Sequence, residues 1–378
     1  MRNPFEYGSA VSGNAFYDRE EIKRDMLNAV DGGNNVLLYG PRRYGKSSLV
    51  AQVFADLGPR GVPCVLIDMM EIRSVDAFVR RYAQAVYRAL SPSAGMFRRV
   101  VAAFRTLRPS LTVGEDGKPE LSVSFASRKA TDSELCEAFD LPEKLSDGRP
   151  VVVAIDEFQE VSRLMPGHAF ERMMRSRIQR HKNVSYVFLG SRKHMLRRMF
   201  TARREPFYNS AETFLLEKPP RDESVQFLKR RFKSVGVSVP SGQAERIVDL
   251  ADNIPYYLQA LASWVYSEVV SQPSRTVTDA VIDDAYARMF RSKIDLFETM
   301  LAGFSPAQCA LLMALAREPA GRFDEAYRDR HLLGGSSTVN TALKQMLESG
   351  DVDVVGQKNA VADPLFATYL RQCGGSYV

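Results

Sequence analysis

The segment Gly40–Ser47 constrains this chain more than any other: it reads Gly-Pro-Arg-Arg-Tyr-Gly-Lys-Ser and fits the pattern G-x-x-x-x-G-K-[ST] in full. Val36–Tyr39 before it is short and apolar, as a buried strand requires, and the amphipathic stretch from Lys46 to about Leu57 reads as a helix. Glycines let such a loop fold tightly enough for several backbone N–H groups to converge on one point. The helix N-terminus adds its dipole there, and the result is a cradle for phosphate. In a P-loop of this kind Lys46 reaches the β- and γ-phosphates of a nucleotide, and the Ser47 hydroxyl ligates Mg²⁺. The predicted nucleotide contacts are therefore Gly40, Pro41, Arg42, Arg43, Tyr44, Gly45, Lys46, Ser47 and Ser48. Arg43 has an alternative role, facing a neighbouring subunit.

A second segment completes the predicted site. Val151–Ile155 is a continuous apolar run that delivers Asp156 to the C-terminal end of a buried strand, beside the P-loop. There Asp156 can hold the Mg²⁺ hydration shell, and Glu157 can orient and deprotonate an attacking water. The next strand, Val184–Leu189, ends in Gly190-Ser191-Arg192, which makes Ser191 and Arg192 candidate sensors of the γ-phosphate. The plainer reading of Ser191 is the N-cap of a helix over Lys193–Phe200. Asp156 is followed by Glu157-Phe158-Gln159 without the glycine of a guanine-nucleotide site, and no well-placed base motif follows. ATP is expected rather than GTP.

Strands at 36–39, 62–68, 151–155, 184–189 and 213–216 alternate with helical patterns at 22–30, 46–57, 75–90 and 170–181. That alternation predicts an α/β fold, a P-loop parallel sheet with helices on both faces. Residues 110–125 break it with two β-type runs around Gly-Glu-Asp-Gly and read as a hairpin insertion. After Pro219-Pro220 the pattern is helical to about Thr299, then gives three short helices and a terminal strand–turn–strand, the order of a winged helix-turn-helix. A chain of 378 residues exceeds one ordinary core. The predicted parts are an ATPase core over 1–217, a helical lid over 218–300 and a winged helix over 301–378.

Four scattered cysteines without CxxC spacing argue for free thiols in the cytoplasm, against a disulfide framework or a zinc site. The longest apolar run, Cys309–Ala316, is far short of a bilayer span, and the N-terminus lacks the apolar core of a secretory signal. No membrane association is expected.

These residues resemble a family. Asn3-Pro4-Phe5, Phe16–Glu21 and the block Gly40–Ser48 are similar to the prokaryotic "archaeal-type" ATPases, which belong to the STAND branch of the AAA+ P-loop ATPases. The likeness continues through Asp156-Glu157, Gly190-Ser191-Arg192, Asn253–Tyr256, Ser336–Val339 and Asp363–Phe366. Asn253 stands where that family carries the glycine of a Gly-x-Pro motif. The resemblance implies a slow ATPase or nucleotide switch whose base lies between the N-terminal segment and the lid, with Arg19 and Pro255 near adenine or ribose. A nuclease-like domain found in many relatives has no counterpart in these residues, and no nuclease function is expected.

Charge distribution opens a question about partners. From Arg172 to Arg204 there are eleven Lys/Arg and no acid, so a chain of net +6 carries −5 elsewhere. The stretch reads as a contact for DNA backbone, as an inter-subunit surface with Arg203 or Arg204 as an arginine finger, or as a solvated face. The winged helix from Phe304 onward has a net charge of −1 and only Lys344 on its presumed recognition helix, so DNA contact is less expected there. The function predicted is ATP binding with slow Mg²⁺-dependent hydrolysis, driving a switch toward an unknown protein partner or a second copy. The alternative is an ATP-controlled DNA-binding protein, replication-initiator-like or transposition-helper-like. A third possibility is a degenerate switch that holds ADP.

Overall fold

The structure is a computed structural model that describes residues 3–11, 13, 16–90, 94–114, 117, 119–127 and 129–373. The chain groups into two compact units. One, the sheet unit, comprises Arg19–Gly40 and Lys46–Leu216; the other, the helical unit, comprises Met1–Asp18, Pro41–Gly45 and Glu217–Val378.

In the sheet unit the strands in chain order are β1 Val36–Tyr39, β2 Cys64–Asp68, the hairpin β3 Arg108–Val113 and β4 Pro119–Ser124, then β5 Val151–Asp156, β6 Val184–Gly190 and β7 Glu212–Leu215. The five outside the hairpin form one parallel sheet in the order β2-β5-β6-β1-β7. The expected α/β architecture is present. β6 lies between the strand leading into the P-loop and the strand ending at Asp156, with Tyr39 opposite Gly190 and Ile155 opposite Phe188. Val151 to Ile155 and the whole of β6 are buried, which is why both strands are apolar without alternation. One face, that of Leu37, Val153, Ile155 and Phe188, is closed by a single core cluster rich in aromatic rings: Phe158 lies 4.6 Å from Phe188 and 5.0 Å from Phe207, and Phe78 lies 5.0 Å from Phe170.

The hairpin expected at 110–125 pairs Arg108 with Ser124 through Val113 with Pro119; Glu115 and Asp116 of its turn lie outside the described residues.

The helical unit contains the helices Arg221–Lys233, Ser241–Leu250, Pro255–Val269, Asp279–Arg291 and Ile294–Ala302. Its N-terminal segment is tied into them by Phe5, whose ring lies 4.7 Å from Phe232, and Tyr17, stacked 4.1 Å from Phe227. The winged helix-turn-helix follows: Pro306–Arg317, Glu325–Arg330 and Ser336–Ser349, the wing β8 Val352–Val355 with β9 Lys358–Val361, and a last helix Pro364–Cys373. Gly321 faces the wing so closely that a Cβ would stand 2.3 Å from the Gln357 carbonyl oxygen.

Candidate functional site

The loop after β1 is shaped by two glycines with different jobs. Gly40 has no room for a side chain, since a Cβ would meet the Leu216 carbonyl oxygen at 2.5 Å. Gly45 has the room but a φ of +92, which only glycine adopts cheaply. A helix then begins at Lys46, as the sequence suggests. Lys46 is buried, and its Nζ donates to the Gly40 carbonyl at 3.0 Å. Ser47 Oγ donates to Asp156 Oδ2 at 2.7 Å, bridging residues 109 apart in sequence. Ser48 is buried behind it.

Burial pushes the Asp156 carboxyl up, while the Ser47 hydroxyl and the Glu157 N–H partly hold it down. Glu157 sits at φ +48, left-handed for a residue with a side chain, just past the strand end. One of its oxygens, Oε2, accepts from Ser191 Oγ at 2.9 Å, from the Ser191 N–H at 3.3 Å and from Gln159 Nε2. The sheet order explains the meeting, because β6 ends one residue before Ser191 and lies beside β5. The helix after Ser191 starts from Arg192 without a side-chain cap. Arg192 is turned to Glu160 at 3.2 Å. Arg19 is buried at φ +78, immediately before the helix Glu20–Asp31.

Within the helical unit, Arg43 of the loop is left-handed at φ +71. Its guanidinium contacts Asp363 and the Tyr257 hydroxyl, and lies 5.1 and 5.0 Å from the Tyr256 and Tyr257 ring centres. The Tyr257 hydroxyl donates to the same Asp363 oxygen at 2.5 Å, and the Arg43 carbonyl accepts from the Tyr256 N–H at 3.3 Å. Pro255 opens the helix that carries both tyrosines, a position where its missing N–H is not needed. Asn253, in the place of the relatives' glycine, has φ +51, a conformation asparagine tolerates better than other side chains.

Sequence reasoning did not single out Gln159, Tyr257 or Asp363 as partners of the site. A polar residue two places after Glu157 was the available signal for the first. Among the described residues no cluster of His, Cys, Asp and Glu has metal-site form, and no helix is long and apolar enough to cross a membrane.

Known proteins supply context for this geometry. A family model described as "Novel STAND NTPase 1" matches residues 6–281, and one described as "Probable winged helix domain" matches residues 295–372. No curated protein matches the chain significantly. A solved Walker-type ATPase of Pyrococcus abyssi has a TM-score of 0.70 at 22% identity, covering 97% of this chain and 99% of that one. The Aeropyrum pernix ORC2 protein scores 0.59 at 15% identity over 93% and 91% of the two chains. The ORC1 protein of the same organism, in complex with DNA, scores 0.52 at 14% identity over 95% and 93%. At these identities the likeness shows the fold.

Proposed function

Since the chain belongs to the novel STAND NTPase 1 family, we propose that it binds ATP with Mg²⁺, hydrolyses it slowly and acts as a nucleotide-driven switch toward a macromolecular partner. In this reading residues 1–217 form the ATPase core, 218–300 the lid and 301–378 the winged helix that passes the signal on. The observation that carries it is the meeting of Ser47 and Asp156 at 2.7 Å, beside a buried Lys46. Two hard oxygens, one at the start of a helix and one at the end of β5, form a donor set that suits magnesium. Bound there, the ion would neutralise charge on the β- and γ-phosphates.

The chain's own residues do the rest. Lys46 lies on the Gly40 carbonyl and exchanges that partner for phosphate oxygen. Backbone N–H groups of Gly40–Ser48 line the anion, and Arg43 offers a further cation. Glu157 orients the attacking water and takes its proton. Ser191, hydrogen-bonded to Glu157, reports the state of the γ-phosphate through that carboxylate, and Arg192 is the second candidate sensor. Arg19 and Pro255 contact the adenosine.

Lys46→Ala should abolish nucleotide binding, read by equilibrium titration with a fluorescent ATP analogue. Glu157→Gln should bind normally and lose about a hundredfold or more in turnover. Wild-type hydrolysis by Glu157→Gln would remove the base assignment.

A second reading, an ATP-controlled DNA-binding protein, is favoured by the basic stretch. Arg172, Arg180, Lys182, Arg197, Arg203 and Arg204 are exposed there and have no ion pair among the described residues. Duplex DNA added to the same assay separates the readings. Strong stimulation supports the second, and an unchanged slow rate supports the protein-directed switch.

A further inference from the structure

We propose that Gln159 is a positioning residue for Glu157, and that Gly190 is glycine to make room for it. The inference rests on the reading of Glu157 as the base. Gln159 is 1% exposed, and its amide nitrogen donates to Glu157 Oε2, the oxygen that also takes both donors of Ser191. Its amide oxygen is buried with no hydrogen-bond partner. A core position that only needed filling would favour an apolar side chain of the same length, because an unpaired buried oxygen is costly. An amide in this place is accounted for by the hydrogen bond from its other end.

The surroundings fix that amide from two sides. Phe158, fully buried against Phe188 and Phe207, pins the short helical turn Phe158–Arg163 that carries Gln159. Across the sheet, a Cβ on Gly190 would stand 2.1 Å from the Gln159 oxygen. The φ of Gly190 is not one that demands glycine, so space is the reason for it, and the buried Leu196, whose Cδ1 would lie 2.6 Å from the same Cβ, helps to take that space. With Oε2 held by three donors, the rotation of the Glu157 carboxylate is fixed, and its other oxygen keeps a set direction toward water.

The test uses Gln159→Met, which keeps length and bulk without the donor, and Gly190→Ala, which pushes the amide from the opposite side. Each should lower kcat by about tenfold to a hundredfold while leaving the ATP dissociation constant near wild type; Gln159→Met should also keep the unfolding temperature, whereas Gly190→Ala should lower it because its Cβ crowds Leu196 as well. Because Gln159 acts through Glu157, neither change should lower the residual rate further in a Glu157→Gln background. Wild-type kcat in Gln159→Met would overturn the proposal. So would an equal fractional loss in the Glu157→Gln background, which marks a general structural role. If Gln159→Met does not fold, a wild-type kcat in Gly190→Ala refutes the proposal by itself. Normal turnover by Glu157→Gln alone refutes the base reading, and the positioning role with it.

Discussion

Asp140 shows how one carboxylate ties a fold to pH. Arg177 reaches it with two nitrogens, Nε at 2.8 Å, and His181 Nε2 lies 3.2 Å from the same oxygen. Burial pushes the Asp140 carboxyl up, but His181 and Arg177 outweigh it and hold it down to about 2. An unfolded Asp titrates near about 4. A depressed acid stabilises fully above that value, and the contribution drains away as pH falls through it toward 2. Asp140→Asn should therefore flatten the fall in urea midpoint between about pH 4 and pH 2. At neutral pH it should cost on the order of 1 kcal/mol, since solvent still reaches and screens part of the group. Residues of this kind are hard to read from sequence, because their meaning lies in partners distant along the chain. The meeting of Ser47 with Asp156 was legible for the opposite reason: the loop pattern marks Ser47, and an unbroken apolar run carries Asp156 to the strand end beside it. Gln159 was not, because its role depends on a glycine across the sheet.

Asp363 sits where a helix starts and does two things at once. Its Oδ1 accepts from the N–H groups of Leu365 and Phe366 at 3.0 and 3.2 Å, capping Pro364–Cys373, while its Oδ2 meets Arg43 and Tyr257. Asparagine caps a helix as well as aspartate does, and alanine does not. Asp363→Asn should thus keep the cap and weaken only the hold on Arg43. Asp363→Ala should lose both, at about 1 kcal/mol for the cap alone. Thermal unfolding should rank wild type above Asp363→Asn and Asp363→Ala lowest, with the alanine variant lower by about 2–4 °C per kcal/mol. The strands were legible within about two residues, β5 and β6 as unbroken apolar runs and the β3–β4 hairpin as two runs around a glycine turn, whereas the helices Ala94–Ala103, Asp132–Phe139 and Leu141–Leu145 were not. Strand order was not, because local periodicity carries no record of which strand lies beside which. The insertion of β6 between β1 and β5 is what brings Ser191 to Glu157.

At the scale of the molecule, the cations of residues 172–204 divide by partner. Arg177 is committed to Asp140, Arg198 to Glu205 and Arg192 to Glu160, while the six exposed ones named above keep their charge for solvent. If those six meet DNA backbone, affinity should fall steeply with salt, and each Arg→Glu change among them should reduce the log–log slope by about 1. A slope near zero would leave the stretch a solvated face. Sequence composition disclosed the excess of charge but not this division. Nor did it disclose that residues 1–18 pack with the chain beyond 216. Tyr17 meets Ser224 at a separation of 207 residues, and Arg231 holds the Pro4 carbonyl across 227. During synthesis the sheet unit is complete in sequence once Leu216 has emerged. Phe5 and Tyr17, made well before that point, must wait for Arg221–Lys233 before they find their rings, and that closure is a long loop with an entropy cost that grows only slowly with length. Two aromatic rings made ahead of the whole sheet unit are therefore placed only after it.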